Sequence, residues 1–402
     1  MTNYIIIVVF ILIIFILYNK KPEKIVKNIF KIANIKISDK QTDDPLTITV
    51  INKKFYKEVL LKGELGFAET YMDGYWTCSD LETLLYELLI NHTKIEQLLK
   101  SQSITLSISL IIQYINNLFH NNTLNKSIKN VEHHYDIGND LYQKMLGKTM
   151  VYTCGYFYKP NITLDEAQIA KIDMVAKKLH LKEGMCVLDI GCGFGSAAYY
   201  IGTKYKVNVL GVTLSKEQLK CANDNYKSKY TNYKYQDYRH VTGKFDRVYS
   251  IGMFEHIGLK NYPTYFNKCY ELLKDDGIML LHTIGSNYLY SGQSTFINKY
   301  IFPGGQLPRK KDIIGNFLEN KWGLEDWHNF GISYRHTLNS WHNNIKDWKG
   351  LDNYNERFRK MWKFYLLSCA ANFKAENICL WQIVFTKLKH KKPDIYNRIS
   401  LN

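Results

Sequence analysis

The chain has no C-x-x-C pair. Its eight cysteines, at 78, 154, 186, 192, 221, 269, 369 and 379, are scattered and do not cluster with histidine. That spacing argues against both a structural zinc and a disulfide framework, and fits reduced thiols. Nothing repeats at a fixed period, which excludes solenoids and propellers. Acidic residues are in deficit, 37 against 53 Lys and Arg, for a formal net charge of +16. Such a surface is drawn to polyanions, nucleic acid or the anionic face of a bilayer, and charge alone does not choose between them. The N-terminus has no basic residue ahead of its apolar run and no small-residue cleavage site after it, so it does not read as a signal peptide.

What is present is ordinary globular composition, 46% hydrophobic and 22% charged over 402 residues, enough for two domains. Residues 4–18 are uninterruptedly apolar or aromatic and are followed by lysines at 20, 21, 24 and 27. As a helix this run covers about 22 Å, against a hydrocarbon core of roughly 30 Å. The expectation is a short uncleaved single-pass anchor over residues 1–21. The lysines after it place the remainder of the chain in the cytoplasm by the positive-inside tendency.

Residues 40–125 read as a small α+β domain, with strand-like runs at 46–51 and 55–61, helical spacing over 81–99 and a packed corner at 71–76. An Asn- and Ser-rich connection follows at 101–130. Residues 126–402 form the larger domain. After an amphipathic helix at 165–181, strand-like runs at 186–190, 207–212, 245–251 and 277–284 alternate with helix-length segments. The alternation predicts a doubly wound, mostly parallel, Rossmann-like α/β sheet.

The first of those strands leads into Asp189-Ile-Gly-Cys-Gly-Phe-Gly195. A strand that ends in an acid and turns through glycines is where open α/β sheets bind nucleotide-like ligands. A dinucleotide site needs G-x-G-x-x-G, but the third glycine comes one residue early, and Ser196 stands in its place. Asp189, Gly191, Gly193 and Gly195 suit S-adenosylmethionine instead, whose methionine end carries no phosphate.

Several stretches together resemble the cyclopropane-fatty-acyl-phospholipid synthases and mycolic acid cyclopropane synthases: Tyr71-Met-Asp-Gly-Tyr-Trp76, Glu132-His-His-Tyr-Asp-Ile-Gly-Asn-Asp140, Val151-Tyr-Thr-Cys-Gly-Tyr-Phe157, the glycine turn, Gly211-Val-Thr-Leu-Ser-Lys-Glu-Gln218, Gly252-Met-Phe-Glu-His-Ile-Gly258, Leu281-His-Thr-Ile-Gly285 and Glu325-Asp-Trp-His-Asn-Phe-Gly331. The resemblance spans roughly residues 50 to 390. It implies a class I methyltransferase that moves a methylene group from S-adenosylmethionine to the cis double bond of an unsaturated phospholipid acyl chain in a bilayer. An alkene is a weak nucleophile, so alignment and exclusion of water carry most of such catalysis.

Ring closure needs a base, and the resemblance implies a bound bicarbonate held by Cys154, Glu255, His282, the backbone of Ile284, and Tyr334. Two negative groups in contact repel, so Glu255 is expected to be protonated or to share a proton with the anion. Taken singly each residue has a duller use. Cys154 is a small hydrophobe, His282 satisfies a core hydrogen bond, and Glu255 and His256 cap a helix. Cys369 matches a further cysteine of the family, although its helical spacing and apolar neighbours favour packing. For the cofactor the family pattern carries over to Tyr152, Thr153, Asp189, Gly191, Gly193, Gly195, Thr213, Leu214, Ser215, Gln218, Asp237 and Tyr238. Tyr238 stands where a ring would stack on adenine, or else fills core. Trp341, Trp362 and Trp381 are expected over a lipid entrance.

The alternatives are a related C- or N-methyltransferase without ring closure, and a lipid-binding protein with a degenerate pocket. The absence of a D/N-P-P-Y target-base motif counts against nucleic acid. An anionic membrane surface and a second copy of the chain are the expected partners, and no metal is expected.

Overall fold

The computed structural model describes residues 22–101, 138–287, 294–315 and 318–388. Among these residues no helix is long and apolar enough to cross a membrane. This corrects the expected single-pass anchor and the membrane localisation drawn from it. The apolar run that suggested it, residues 4–18, is itself about 8 Å short of a roughly 30 Å hydrocarbon core as a helix. Residues 1–21 themselves, the connection at 102–130 and residues 132–137 of the His-His motif lie outside the described residues.

The chain divides into two compact units. The first comprises residues 1–120, 294–300 and 352–375, and the second residues 121–293, 301–351 and 376–402. In the first, β1 (Lys36–Ser38), β2 (Thr47–Val50) and β3 (Trp76–Thr77) make a three-stranded sheet in that order. Residues 55–61, expected as a strand, are instead part of the helix Lys54–Lys62, in which adjacent Phe55 and Tyr56 are both buried. A strand would send neighbours to opposite faces, whereas the start of a helix can bury both. The corner at 71–76 is packed. Trp76 stacks on Phe67 at 4.3 Å between centroids, and its indole N–H donates to the Phe67 carbonyl at 3.1 Å.

The second unit is built on β4 (Cys186–Ile190), β5 (Asn208–Thr213), β6 (Thr231–Tyr235), β7 (Phe245–Ile251), β8 (Leu273–Ser286), β9 (Trp322–Asn329) and β10 (Ile378–Lys387). Their order is β6-β5-β4-β7-β8-β10-β9. The pairs from β6 to β8 are parallel, while β10 runs antiparallel to both β8 and β9, so the seven-stranded sheet is mixed. The helix Leu164–Lys178 opens with a capping box, in which Thr163 accepts from the Glu166 amide and Glu166 accepts from Thr163.

Side chains along a strand alternate between faces, and the two cores divide accordingly. Met279 and Leu281 of β8 join Ile383 and Phe385 of β10 on one face, with Phe254, Tyr262 and Phe266. Ile278 and Leu280 join Val384 on the other, with Ile172, Val175 and Ile201. Each such side chain contributes about 1.5–3 kcal/mol by leaving water, and this packing holds β8 inside the sheet, between β7 and β10. The three tryptophans expected over a lipid entrance are core residues: Trp341 and Trp381 in the second unit, Trp362 in the first.

Candidate active site

A cleft opens beyond the C-terminal ends of β4, β5 and β7, where the order of the parallel strands reverses around β4. Its floor is the glycine turn. Gly193, at φ 55°, has nothing within 4 Å of where a Cβ would stand, so its bare backbone faces open space. Gly195, at φ 91°, does a different job. A Cβ there would meet Ala222 at 2.7 Å, so this glycine lets the helix Ser196–Tyr205 close on its neighbours and does not line the cleft.

Of the residues expected at the cofactor, Tyr152, Thr153, Asp189, Gly191, Gly193, Thr213, Leu214, Gln218, Asp237 and Tyr238 line this cleft. Ser215 does not. Its hydroxyl accepts from the Gln218 amide and caps the helix Lys216–Asn225. The Thr213 hydroxyl donates to Gln218 Oε1 at 2.9 Å, which leaves the amide nitrogen of Gln218 as its donating end. Arg239 grips both oxygens of Asp237, each at 2.8 Å. Burial raises the Asp237 pKa, but the hydrogen bonds from Arg239 outweigh it and hold the carboxyl below its ordinary value. Tyr238 packs edge-on against Tyr265 at 5.4 Å while lining the cleft, so it serves core and site at once.

Sequence reasoning missed Lys171, Gln236, Arg239, His256 and Asn261, which also line the cleft. Lys171 is fully buried, with Nζ donating to the Thr153 hydroxyl at 2.8 Å. Burial lowers its pKa, and burial raises that of Asp189, whose carboxylate accepts from the Tyr249 hydroxyl at 2.9 Å. A lysine at helical spacing among surface lysines gives no sign of burial in the sequence. His256 is kept neutral by burial, which pulls its pKa down to about 4.

Cys154, Glu255, His282, Ile284 and Tyr334, the residues expected around an anion, all belong to the second unit, whereas Cys369 belongs to the first. Glu255 Oε1 accepts from the Ile284 amide at 2.6 Å, so the backbone donor expected to meet the anion is engaged by Glu255 instead. Glu255 Oε2 has no partner among the described residues. Burial pushes this carboxyl up to about 7, against the pull of its backbone hydrogen bonds and of the nearby Thr283 side chain. His282 lies two residues before Ile284 on β8, buried and with Nε2 unpartnered among the described residues. Its carbonyl accepts from the Gly252 amide at 3.0 Å, which ties β8 to the turn that carries Glu255.

Cys154 is buried, with its thiol donating to the Gly155 carbonyl at 3.0 Å, and burial drives its pKa far up, so it stays a thiol. The Thr337 hydroxyl lies 3.8 Å from its sulfur and accepts from the Gly155 amide, while Ser333 accepts from the Phe157 amide. These bonds staple the 154–157 stretch to the helix Ile332–Ile345, which also carries Tyr334. Cys369 lies on the helix Glu356–Lys374 of the first unit, where burial pushes its thiol up to about 12. A thiol so suppressed is inert, in keeping with a packing role.

The family model for mycolic acid cyclopropane synthetase matches residues 122–383. Cyclopropane-fatty-acyl-phospholipid synthase of Escherichia coli (strain K12) is 43% identical to this chain over 345 residues, 85% of this chain and 88% of that protein. Among solved structures, the cyclopropane synthase MmaA2 from Mycobacterium tuberculosis aligns with a TM-score of 0.61 at 30% identity, covering 64% of this chain and 97% of that one. Mycolic acid cyclopropane synthase CmaA1 complexed with SAH and CTAB aligns with a TM-score of 0.59 at 32% identity, covering 64% of this chain and 97% of that one. With its cleft at the end of β4 and its mixed seven-stranded sheet, the chain belongs to the mycolic acid cyclopropane synthetase family and has the class I S-adenosylmethionine-dependent methyltransferase fold.

Proposed function

We propose that the chain converts the cis double bond of an unsaturated phospholipid acyl chain into a cyclopropane ring, with S-adenosylmethionine as one-carbon donor and bicarbonate as base. The likeness to the E. coli synthase over most of both chains supports the reaction and the phospholipid substrate, and a relative seen with SAH supports the donor. The residues fit both small molecules. The bare backbone at Gly193 and the polar groups of Thr213, Gln218 and Asp189 suit the donor, which when bound supplies an electrophilic methyl on a sulfonium. What supports the anion is that two of the residues the resemblance assigns to it, Glu255 and His282, each leave a buried polar atom without a partner among the described residues, Oε2 and Nε2. Buried polar atoms are seldom left unpaired, because each costs about 1–3 kcal/mol, so such a pair points to a ligand.

Bicarbonate held there would supply the base for ring closure. The chain's own part is to neutralise and orient it. His282 donates from Nε2, Glu255 in its protonated form donates from Oε2, and the Cys154 thiol adds no negative charge.

The direct test is to incubate the protein with methyl-labelled S-adenosylmethionine and vesicles of unsaturated phospholipid, then weigh and hydrogenate the fatty acids. A gain of one CH₂ that resists hydrogenation is the expected result. A labelled product that still takes up hydrogen would reduce the proposal to C-methylation, and labelled headgroup amine would move it to N-methylation. At the donor site, Thr213→Val should raise KM for S-adenosylmethionine by about tenfold with little change in kcat, since it leaves the buried Gln218 carbonyl without its donor. An unchanged KM would remove Gln218 from the donor site.

A further inference from the structure

Gln382 interrupts the apolar run of β10, and the reaction as proposed makes no use of it. In register it stands opposite His282 on β8 and His328 on β9. Gln382 and His282 are both buried, at 0% and 1% exposed. The Gln382 amide nitrogen lies 3.2 Å from His282 Nδ1.

With the amide nitrogen facing Nδ1, that nitrogen donates and Nδ1 accepts. Burial, with repulsion from Lys171, Lys178 and His328, lowers the His282 pKa well below its ordinary value, and the ring is neutral. A neutral imidazole has one N–H. With Nδ1 accepting, that hydrogen sits on Nε2, the nitrogen that has no partner among the described residues.

We infer that Gln382 is a positioning residue: it locks His282 in the Nε2–H tautomer, so that the ring offers a donor and not a lone pair to the anion of the proposed function, a reading on which this inference rests. The opposite tautomer would aim a lone pair at a negative ion. The carbonyl end of Gln382 has no partner among the described residues, so an amide turned end for end would present that carbonyl to Nδ1 and favour the opposite tautomer, which is the alternative the test below distinguishes. The strand ladder then supplies rigidity, since both residues lie inside a continuous antiparallel register running from 378 to 386.

The test reads the tautomer and its consequence separately. In the full chain with ¹⁵N-labelled histidine, long-range ¹H–¹⁵N correlation should show His282 with an unprotonated Nδ1 and a protonated Nε2, its signals identified by their loss in His282→Asn. Gln382→Glu replaces the donor by an acceptor and should move the hydrogen to Nδ1. The bicarbonate concentration for half-maximal activity should then rise about 10- to 100-fold, the scale typical of losing a residue that orients a liganding histidine, with KM for S-adenosylmethionine unchanged. Gln382→Met, near in volume and without polarity, should free both tautomers and give a smaller rise. It decides the matter if the glutamate variant does not fold.

Wild-type His282 protonated at Nδ1 would overturn the inference. So would a switched tautomer in Gln382→Glu, or a freed one in Gln382→Met, with unaltered bicarbonate dependence. Full wild-type activity in carbonate-free buffer would instead overturn the anion reading, and with it the purpose of the lock, while the NMR result still reads the tautomer by itself.

Discussion

Between pH 6 and pH 9 the wild-type enzyme is expected to lose roughly 100-fold in bicarbonate affinity, and Glu255→Gln to abolish that loss. The reason is the position of one proton. Glu255 is buried, with one oxygen bound to the Ile284 amide and the other unpartnered among the described residues, and burial pushes its carboxyl up to about 7. An anion is accepted beside a neutral carboxyl and repelled by a charged one, so binding falls about tenfold for each pH unit above 7. Glutamine keeps the acceptor for Ile284 and places a permanent donor where Oε2 stood, which makes binding insensitive to pH over this range. Because it has no proton to share, turnover should still fall by about 10²-fold or more.

The same substitution carries a stability signature of definite sign. A carboxyl whose folded pKa lies above its unfolded one favours the folded state fully below about 4.5, and that contribution is lost as pH rises to about 7. At pH 9 the wild type therefore contains a buried charge that Glu255→Gln lacks. The variant should be the more stable of the two there, by up to about 3 kcal/mol, and the difference should vanish near pH 4. Urea unfolding at the two pH values measures it. A variant less stable than wild type at pH 9 would show that Glu255 is ionised at ordinary cost and would remove the basis for the pH effect on binding.

Much of the parallel half of the sheet could be read from the sequence, because β4, β5, β7 and β8 are apolar runs bounded by turn residues. The two edges of the sheet could not. β6, Thr231–Tyr235, is a mostly exposed edge strand with one buried residue, so it shows no apolar run. β9 is mostly half-buried, with Glu, Asp, Trp and His in succession, and its strand form comes from pairing with β10. The site divides in the same way. The glycine turn is local chemistry and announces itself, whereas Lys171, Arg239 and Gln382 matter through burial and partners that only the fold supplies. Glu255, His282 and Tyr334 were legible through resemblance alone, since nothing in their spacing shows that they share one unit.

Gly285 shows how closely packing and chemistry are joined on β8, and replacing it should produce the largest structural effect of any single methyl added in the second unit. A Cβ at this position would overlap the six-membered ring of Trp381, which is itself 1% exposed and cannot swing away. Gly285→Ala must therefore push the indole and the strand apart, at about 1–3 kcal/mol for overpacking. The strain falls on neighbours that matter: Ile284, whose amide holds Glu255, is the preceding residue, and His282 lies three back. Displacements near 1 Å at a reacting centre cost on the order of 10²-fold in rate. Turnover should accordingly fall far more than KM for S-adenosylmethionine rises, because the donor cleft is lined from β4, β5 and β7 and not from β8. Trp381→Leu alone should destabilise by roughly 3 kcal/mol through the cavity it leaves. Combined with Gly285→Ala it should cost less than the two singles added, since the smaller side chain makes the room the methyl needs, and turnover should partly return. A double-mutant cycle by urea unfolding and by rate measures the coupling, expected at about 1–3 kcal/mol. Strict additivity would mean that the indole is not what holds this stretch of β8 in place, and the link from core packing to the anion residues would have to be sought on the helix Ile332–Ile345 instead.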